Sequence, residues 1–447
     1  MSDFNSPEEE DAAIDDLFDR SEWPPAPEEV DVTAPAFILS EDQEKAKNMF
    51  INFLISPIEQ VFVLQGYAGT GKSTLVKTLM DNMPKYLQMA KLVNPSMFDY
   101  QIQLTATTNK AAEALAQITG MEVRTIHSFL GLRVSKDYRT GHTELVPRSE
   151  IPEFGYILII DEASMIDSKL LTTIFKKTQN CKIMFIGDPA QLPPVKYNNT
   201  PVFDAGFTTA KLEKVMRQAE GNPIITLATQ FRNTVSSGQW FNFKPDGHHI
   251  VHLPRSDFED RIIDEFTRND WRYNDSKILG WTNKCVIDYN HAVNNHISGD
   301  PHFAVGDYVV CNKHVIVGKH SIKTDQLVYI TCIEPDVEYH DVVGNWVTVD
   351  YSIRAFFPKS LAAKNERVKR AKALNEYRLL AEIEECWFDL RAAFAQTINK
   401  SQGSTYDKVF IDLDDVSRCN LGDLIARLMY VAVSRARHYI YLVGDFA

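Results

Sequence analysis

The chain has 447 residues, 44% hydrophobic and 24% charged, a length for about two or three domains and the balance of an ordinary soluble globular protein. No apolar run approaches a membrane span, the acidic start is unlike a signal or transit peptide, and six scattered cysteines form no C-x-x-C pair, so the expectation is a reducing cytoplasm without zinc or disulfides. Residues 1–31 hold twelve acidic side chains against one arginine; nearly all of the formal charge of −13 sits there, and the near-neutral remainder neither demands nor excludes a polyanion partner.

In chain order, residues 1–36 read as an acidic, proline-rich disordered tail with too little apolar surface to offset its ordering entropy. Order is expected from "FILSEDQEKAKNMFINFLI", with Ser40 as N-cap and Gln43, Ala46, Met49, Phe50, Phe53 and Leu54 on one helical face. An apolar strand, "VFVLQ", then runs into "GYAGTGKST" and a helix start. Further strands follow at Ile102–Thr107, Tyr156–Asp161 and Lys182–Asp188, and a second set at Lys277–Asn283, Lys408–Leu413 and Tyr439–Asp445. Strands alternating with helices predict two tandem α/β domains, each a parallel sheet wound with helices, over 37–220 and 221–447. Two segments break the alternation. Leu132–Ser149 predicts a β-hairpin turning near Thr140 and Gly141, an insertion at 131–150. Residues 301–386 predict a small antiparallel β-barrel followed by one charged, largely solvated helix.

"GYAGTGKST" fits G-x-x-x-x-G-K-[ST] between a strand and a helix, the context a phosphate-binding loop needs. Gly66, Ala68, Gly69, Thr70, Gly71, Lys72, Ser73 and Thr74 would cradle a nucleotide. The glycines let N–H groups turn inward, Lys72 reaches the outer phosphates, and the Ser73 hydroxyl holds Mg²⁺. One strand on, "IIDEASM" places Asp161 to hold Mg²⁺ and Glu162 to polarise the attacking water. "GDPAQLPPV" puts the Gln191 amide just beyond the next strand, where a group that donates and accepts can sense a γ-phosphate.

The ordered series "EDQ", "GYAGTGKST", "LTATTNKAA", "TIHSFL", "IIDEASM", "GDPAQLPPV", "VMRQ", "WTNK", "TINKSQGSTYD" and "YVAVSRARH" resembles the superfamily-one DNA helicases of the RecD-like branch, most of all the Dda helicases of tailed bacteriophages, over residues 37–447. The resemblance implies two RecA-like motor domains, with a strand-separating pin at the hairpin and an SH3-like module at the barrel. It implies ATP and Mg²⁺, single-stranded and forked duplex DNA as partners, five-prime to three-prime movement, and phage-type replication or recombination in a host cytoplasm. Gln43 resembles the residue that reads adenine. Arg217 and Arg435 resemble two arginines that reach the γ-phosphate across the domain cleft. DNA contacts would come from Thr107, Asn109, Lys110 and His127 in one domain and Thr282, Asn283, Lys284, Asn399, Lys400 and Ser401 in the other. Asn399 stands where the family has histidine, which weakens that contact. The acidic tail offers a segment for a single-strand-binding or recombination protein, or competes for the DNA groove itself. An RNA remodeller fits the same motifs, and a P-loop kinase fits the phosphate loop while leaving "GDPAQLPPV" and "YVAVSRAR" without a purpose.

Overall fold

The computed structural model describes residues 39–136, 143–194, 200–214, 222–298 and 303–446. The acidic stretch 1–36, the hairpin turn at Thr140 and Gly141, Val195, Arg217 with the rest of "VMRQ", and Pro301 lie outside the described residues.

Helix Glu41–Ile55 starts on a reciprocal capping box: Ser40 Oγ accepts from the Gln43 N–H, and Gln43 Oε1 accepts from the Ser40 N–H at 2.9 Å. Its buried face packs on strand Val61–Gly66, with the rings of Phe53 and Phe62 stacked 5.5 Å apart. The helix has no basic residue in its own last turn. Lys182, on strand Lys182–Gly187, supplies the missing cation. Its buried ammonium donates to Phe53 O at 2.7 Å, to Glu59 O at 2.8 Å and to Ser56 O. Burial lowers its pKa to about 8.

Among the described residues six strands make a parallel sheet, in the order Thr208–Leu212, Val61–Gly66, Lys182–Gly187, Tyr156–Asp161, Gln101–Ala106, Val123–Thr125. Alternate residues serve opposite faces. Phe62 meets the first helix, while Val63, Leu158, Ile160, Ile183 and Phe185 pack on Ile126, Phe129, Ile166, Leu170 and Ile174. Five strands make a second parallel sheet: Ile250–His252, Ala436–Val443, Tyr406–Asp412, Ser276–Gly280, Ala395–Thr397. Helices Pro223–Ser237 and Gly422–Val433 cover one face through Phe231 and Leu428, and helices Arg255–Phe266 and Asn283–Ser298 cover the other through Phe258 and Val293. Both sheets are buried on two faces, which is why their strands are nearly continuous apolar runs. Two such lobes in tandem fit RecA-like domains.

Strands Leu132–Lys136 and Thr143–Pro147 pair antiparallel, Leu132 opposite Pro147 and Lys136 opposite Thr143. A second insertion is an antiparallel sheet of five strands, Ile353–Pro358, Val342–Val349, Gln326–Tyr339, Tyr308–Cys311 and Leu390–Ala392. Its last strand runs within two residues into Ala395–Thr397 of the second parallel sheet, so one short stretch stitches the insertion to its lobe. The charged segment read as one solvated helix is two, Leu361–Ala373 and Tyr377–Glu385, broken where Asn375 adopts a φ of 58°. The pair is packed rather than free. Ile383 is buried with Trp387 and Phe356, and buried Arg367 donates to His340 O at 3.0 Å and to Glu376 at 2.8 Å.

Candidate active site and nucleic-acid groove

The loop between strand Val61–Gly66 and helix Lys72–Asp81 has the shape its sequence demands. Gly69 and Gly71 have φ of 81° and 78°, and a Cβ on Gly71 would also meet Gln43 Nε2 at 2.5 Å. Lys72 Nζ lies over the mouth of the loop, donating to Gly66 O at 2.7 Å and Tyr67 O at 3.1 Å. Buried Thr70 turns its hydroxyl onto Tyr67 O, and Ser73 and Thr74 sit in the first helical turn. Gln43 is fully buried behind the loop. Its Nε2 donates to Thr70 O and Gly71 O at 3.3 and 3.4 Å, and its Oε1 closes the capping box. Both ends of the amide expected at adenine thus bond to the chain's own backbone; in this structure Gln43 buttresses the loop.

Asp161 ends the strand next to that loop's neighbour, and Glu162 follows with φ of 55°, a left-handed conformation that strains a residue other than glycine. Burial pushes Asp161 up, opposed by the bond from the Glu162 N–H and by Lys72. Burial and then the Asp161 charge raise Glu162, with Lys72 and Arg435 pulling it back. Two close acids in a dry site, facing one lysine and one arginine, form a hard-oxygen, electronegative spot.

The second lobe reaches this spot through helix Gly422–Val433. The Tyr430 hydroxyl accepts from the Ala68 N–H of the phosphate loop at 2.9 Å and donates to fully buried Asp188 at 2.5 Å. Arg427 donates to Pro189 O and Gln191 O, both at 2.8 Å, and Gln402 Nε2 reaches Gln191 Oε1 at 3.3 Å. Arg435 is buried at the same seam. Its N–H groups hold Val431 O, Ser404 O and Ser434 Oγ of its own lobe, and Glu162, Tyr430, Tyr406 and Asp188 offset the desolvation that lowers its pKa. Sequence reasoning named Gln191 and Arg435 but missed Asp188, Tyr430, Arg427 and Gln402.

A cleft of about 840 Å³ crosses both lobes on another side. Thr107, Asn109, Lys110 and His127 line it from the first lobe, and Asn283, Asn399 and Lys400 from the second. Pro193, Pro194, Trp281 and Asp325 line it as well and were not foreseen. Thr107 joins cleft to active site: its hydroxyl donates to Glu162 O at 3.2 Å and its N–H to Asp161 O at 3.3 Å. Lys110 Nζ crosses the seam to Gln396 Oε1 at 3.2 Å. Burial lowers the pKa of Lys110, with Asp325 opposing, and that of His127, with Asp167 opposing.

Three residues expected at DNA do not line this cleft. Thr282 Oγ1 donates to Asp415 at 2.6 Å, and Asp415 also accepts from the Trp281 and Thr282 N–H groups, so Thr282 fixes the loop. Lys284 pairs with Asp288 at 2.5 Å and faces a different cavity, beside Arg255 and Asp412. Ser401 is fully buried, its hydroxyl donating to Ile398 O.

A phosphate loop and an acidic strand end in one lobe, met by a buried arginine from a second, define a two-lobed P-loop nucleotide-binding protein. Residues 39–247 match the AAA domain family and residues 392–443 the UvrD-like helicase C-terminal domain family. The ATP-dependent DNA helicase dda of Enterobacteria phage T4 is 26% identical over 462 residues, covering 91% of this chain and 99% of that protein. The ATP-dependent RecD2 DNA helicase of Deinococcus radiodurans is 33% identical over 179 residues, 38% of this chain and 21% of that protein. The Pif1 helicase from Bacteroides, solved with ADP-AlF3 and single-stranded DNA, aligns at 20% identity and a TM-score of 0.47 over 92% of this chain and 93% of its own. The two family matches and the alignment with the phage helicase along nearly its whole length make the chain similar to superfamily-one helicases of the RecD-like group. Among the described residues no helix is long and apolar enough to cross a membrane.

Proposed function

We propose that this chain is an ATP-hydrolysing DNA helicase that moves along single-stranded DNA and unwinds duplex. The observation that carries the reading is Thr107, which lines the cleft and bonds to the backbone of Asp161 and Glu162, so the polynucleotide groove and the nucleotide site share a wall.

In this reading Lys72 and the N–H groups of residues 69–74 hold the ATP phosphates, and Glu162 orients the attacking water. The donors present fit Mg²⁺: the Ser73 hydroxyl and the Asp161 carboxylate are hard oxygens, and a cation would relieve the burial and mutual repulsion that raise both Asp161 and Glu162. Among the described residues no three His, Cys, Asp or Glu side chains converge on a metal, so phosphate oxygens and water would complete the shell. When bound, Mg²⁺ neutralises charge on the phosphates. Arg435 must exchange its own lobe's carbonyls for the γ-phosphate, which ties turnover to lobe closure. Gln191 reports the phosphate to Gln402 of the second lobe, and Arg217 acts as a further cation. In the groove, hydroxyls, amides and Lys110 and Lys400 grip phosphate and sugar, and Trp281 offers a face for a base, contacts that hold any sequence.

The resemblance to the Dda helicases supports the finer points: five-prime to three-prime movement, forked duplex as substrate, the hairpin as pin, the antiparallel insertion as an SH3-like module, and a role in phage-type replication or recombination in a host cytoplasm. The acidic residues 1–31 supply the charge for a single-strand-binding or recombination partner. The test compares ATP hydrolysis with no polymer, with single-stranded DNA and with RNA, and adds unwinding of a forked duplex. Strong stimulation by DNA with unwinding is expected. Stimulation by RNA alone would make the chain an RNA remodeller, and indifference to both polymers a phosphotransferase.

A further inference from the structure

Asp325 lies in the turn between strands His320–Ile322 and Gln326–Tyr339 of the antiparallel insertion, yet it lines the groove with Lys110, Asn399 and Lys400. Its Oδ1 accepts from Lys400 Nζ at 2.7 Å, and Asn312 Oδ1, from the same insertion, accepts from that ammonium at 2.6 Å. Lys110 also feels the Asp325 charge. The carboxylate is held in place. The Asp325 N–H donates to Cys311 O at 2.7 Å, and its φ of 63° is the left-handed region that Asp and Asn tolerate better than most residues. A sequence-independent single-strand groove has use for cations and no use for an acid.

We infer that Asp325 is a built-in phosphate mimic. Without DNA it occupies the anion position on Lys400, and a backbone phosphate takes that position on binding. The inference rests on the groove being the DNA path. Two consequences follow from the geometry. An incoming strand competes with an intramolecular carboxylate, so single-strand affinity is lower than the groove's cations alone would give. The displaced turn leads directly into strand Gln326–Tyr339, which pairs with both Tyr308–Cys311 and Val342–Val349, so DNA occupancy is passed to the insertion. If Asp325 instead only aims Lys400 at phosphate, removing its charge weakens binding, and the sign of the effect separates the two roles.

The experiment measures anisotropy of a labelled single-stranded oligonucleotide against salt for the full chain, Asp325→Asn, Lys400→Ala and the double variant. Asn keeps the left-handed turn and removes the charge; Asp325→Gly, also at home at positive φ, repeats the test should Asn alter the melting curve. The expected result is about fivefold tighter binding by Asp325→Asn near 0.1 M salt, a gap that narrows as salt rises, and loss of the gain when Lys400 is also removed. Equal or weaker binding by both Asp325 variants overturns the inference, as does a gain that persists without Lys400. Failure of the unaltered chain to bind single strands at any salt overturns the DNA path and the inference together; binding without a gain overturns the inference alone.

Discussion

The two lobes meet on two sides, and the two sides are built differently. At the nucleotide side the contacts between lobes are buried and directional. Tyr430 joins Ala68 to Asp188, Arg427 clamps Pro189 and Gln191, and Arg435 sits between Glu162 and its own carbonyls. At the groove one side-chain bond crosses the seam, Lys110 to Gln396, and the lining is a spread of hydroxyls, amides, two lysines and apolar side chains, none of them singled out by geometry. Bond making needs one geometry, and a low-dielectric setting magnifies each misplaced group. Gripping a polymer that slides needs many small, interchangeable contacts. Single substitutions should therefore cut deeply on the first side and little on the second.

The largest effect is expected from Lys72→Ala. It removes the cation at the mouth of the phosphate loop, so ATP hydrolysis should fall to background while nucleotide-free single-strand affinity stays, because Lys72 is outside the groove lining. Steady-state ATPase and oligonucleotide anisotropy check it, and parallel loss of both would break the separation of the two sides. Arg435→Ala comes next. The phosphate loop is intact, so nucleotide should still bind, while DNA-stimulated turnover should drop by roughly 10³–10⁵, the scale of arginine fingers. Near-normal turnover would reduce Arg435 to a packing residue.

Tyr430→Phe sharpens the comparison with one atom. It leaves the Ala68 N–H and the buried Asp188 carboxylate without their shared partner, at about 1–3 kcal/mol for an unsatisfied buried group. Turnover should fall about tenfold or more, with single-strand affinity little changed, since the hydroxyl bonds at the nucleotide side. A variant that loses DNA binding but keeps turnover would place Tyr430 with the groove instead.

The same contrast decides what the sequence could reveal. The phosphate loop, the acidic strand end and the two parallel sheets were legible because their chemistry is local. A strand buried on both faces must be apolar, and a loop that wraps phosphate needs glycine at fixed offsets. The seam was not legible. Tyr430 and Asp188 stand 242 residues apart, and each alone reads as an ordinary buried residue. The structural bonds of Thr282 and Ser401 were hidden because, in sequence, a hydroxyl that fixes a loop looks like one that binds DNA. The role of Gln43 in holding the loop was not legible either, its amide bonded to Ser40 N and the phosphate-loop carbonyls. Asn375, a residue that favours left-handed turns, did mark the break between the two charged helices, but the surrounding lysines and glutamates read as one run. Asp325 was invisible because a search for cations passes over an acid.

The smallest effect is expected at Asn399, and it tests the groove on its own terms. Asn399 lines the cleft with Lys400. Its amide can bond a phosphate but carries no charge. Asn399→Lys should therefore add one ionic contact, raising single-strand affinity about threefold near 0.1 M salt and steepening the salt dependence by roughly 0.7 in log–log slope. Asp325 stands on the same wall and limits the gain, because a lysine at 399 would share that carboxylate with Lys400. ATP turnover at saturating DNA should not move, since among the described residues no bond from Asn399 reaches the nucleotide side. Salt titrations of oligonucleotide binding, paired with ATPase at saturating DNA, measure both claims. A tenfold change in turnover from Asn399→Lys would mean that groove residues act one by one on the chemistry, and the division between a directional side and a distributed side would fail.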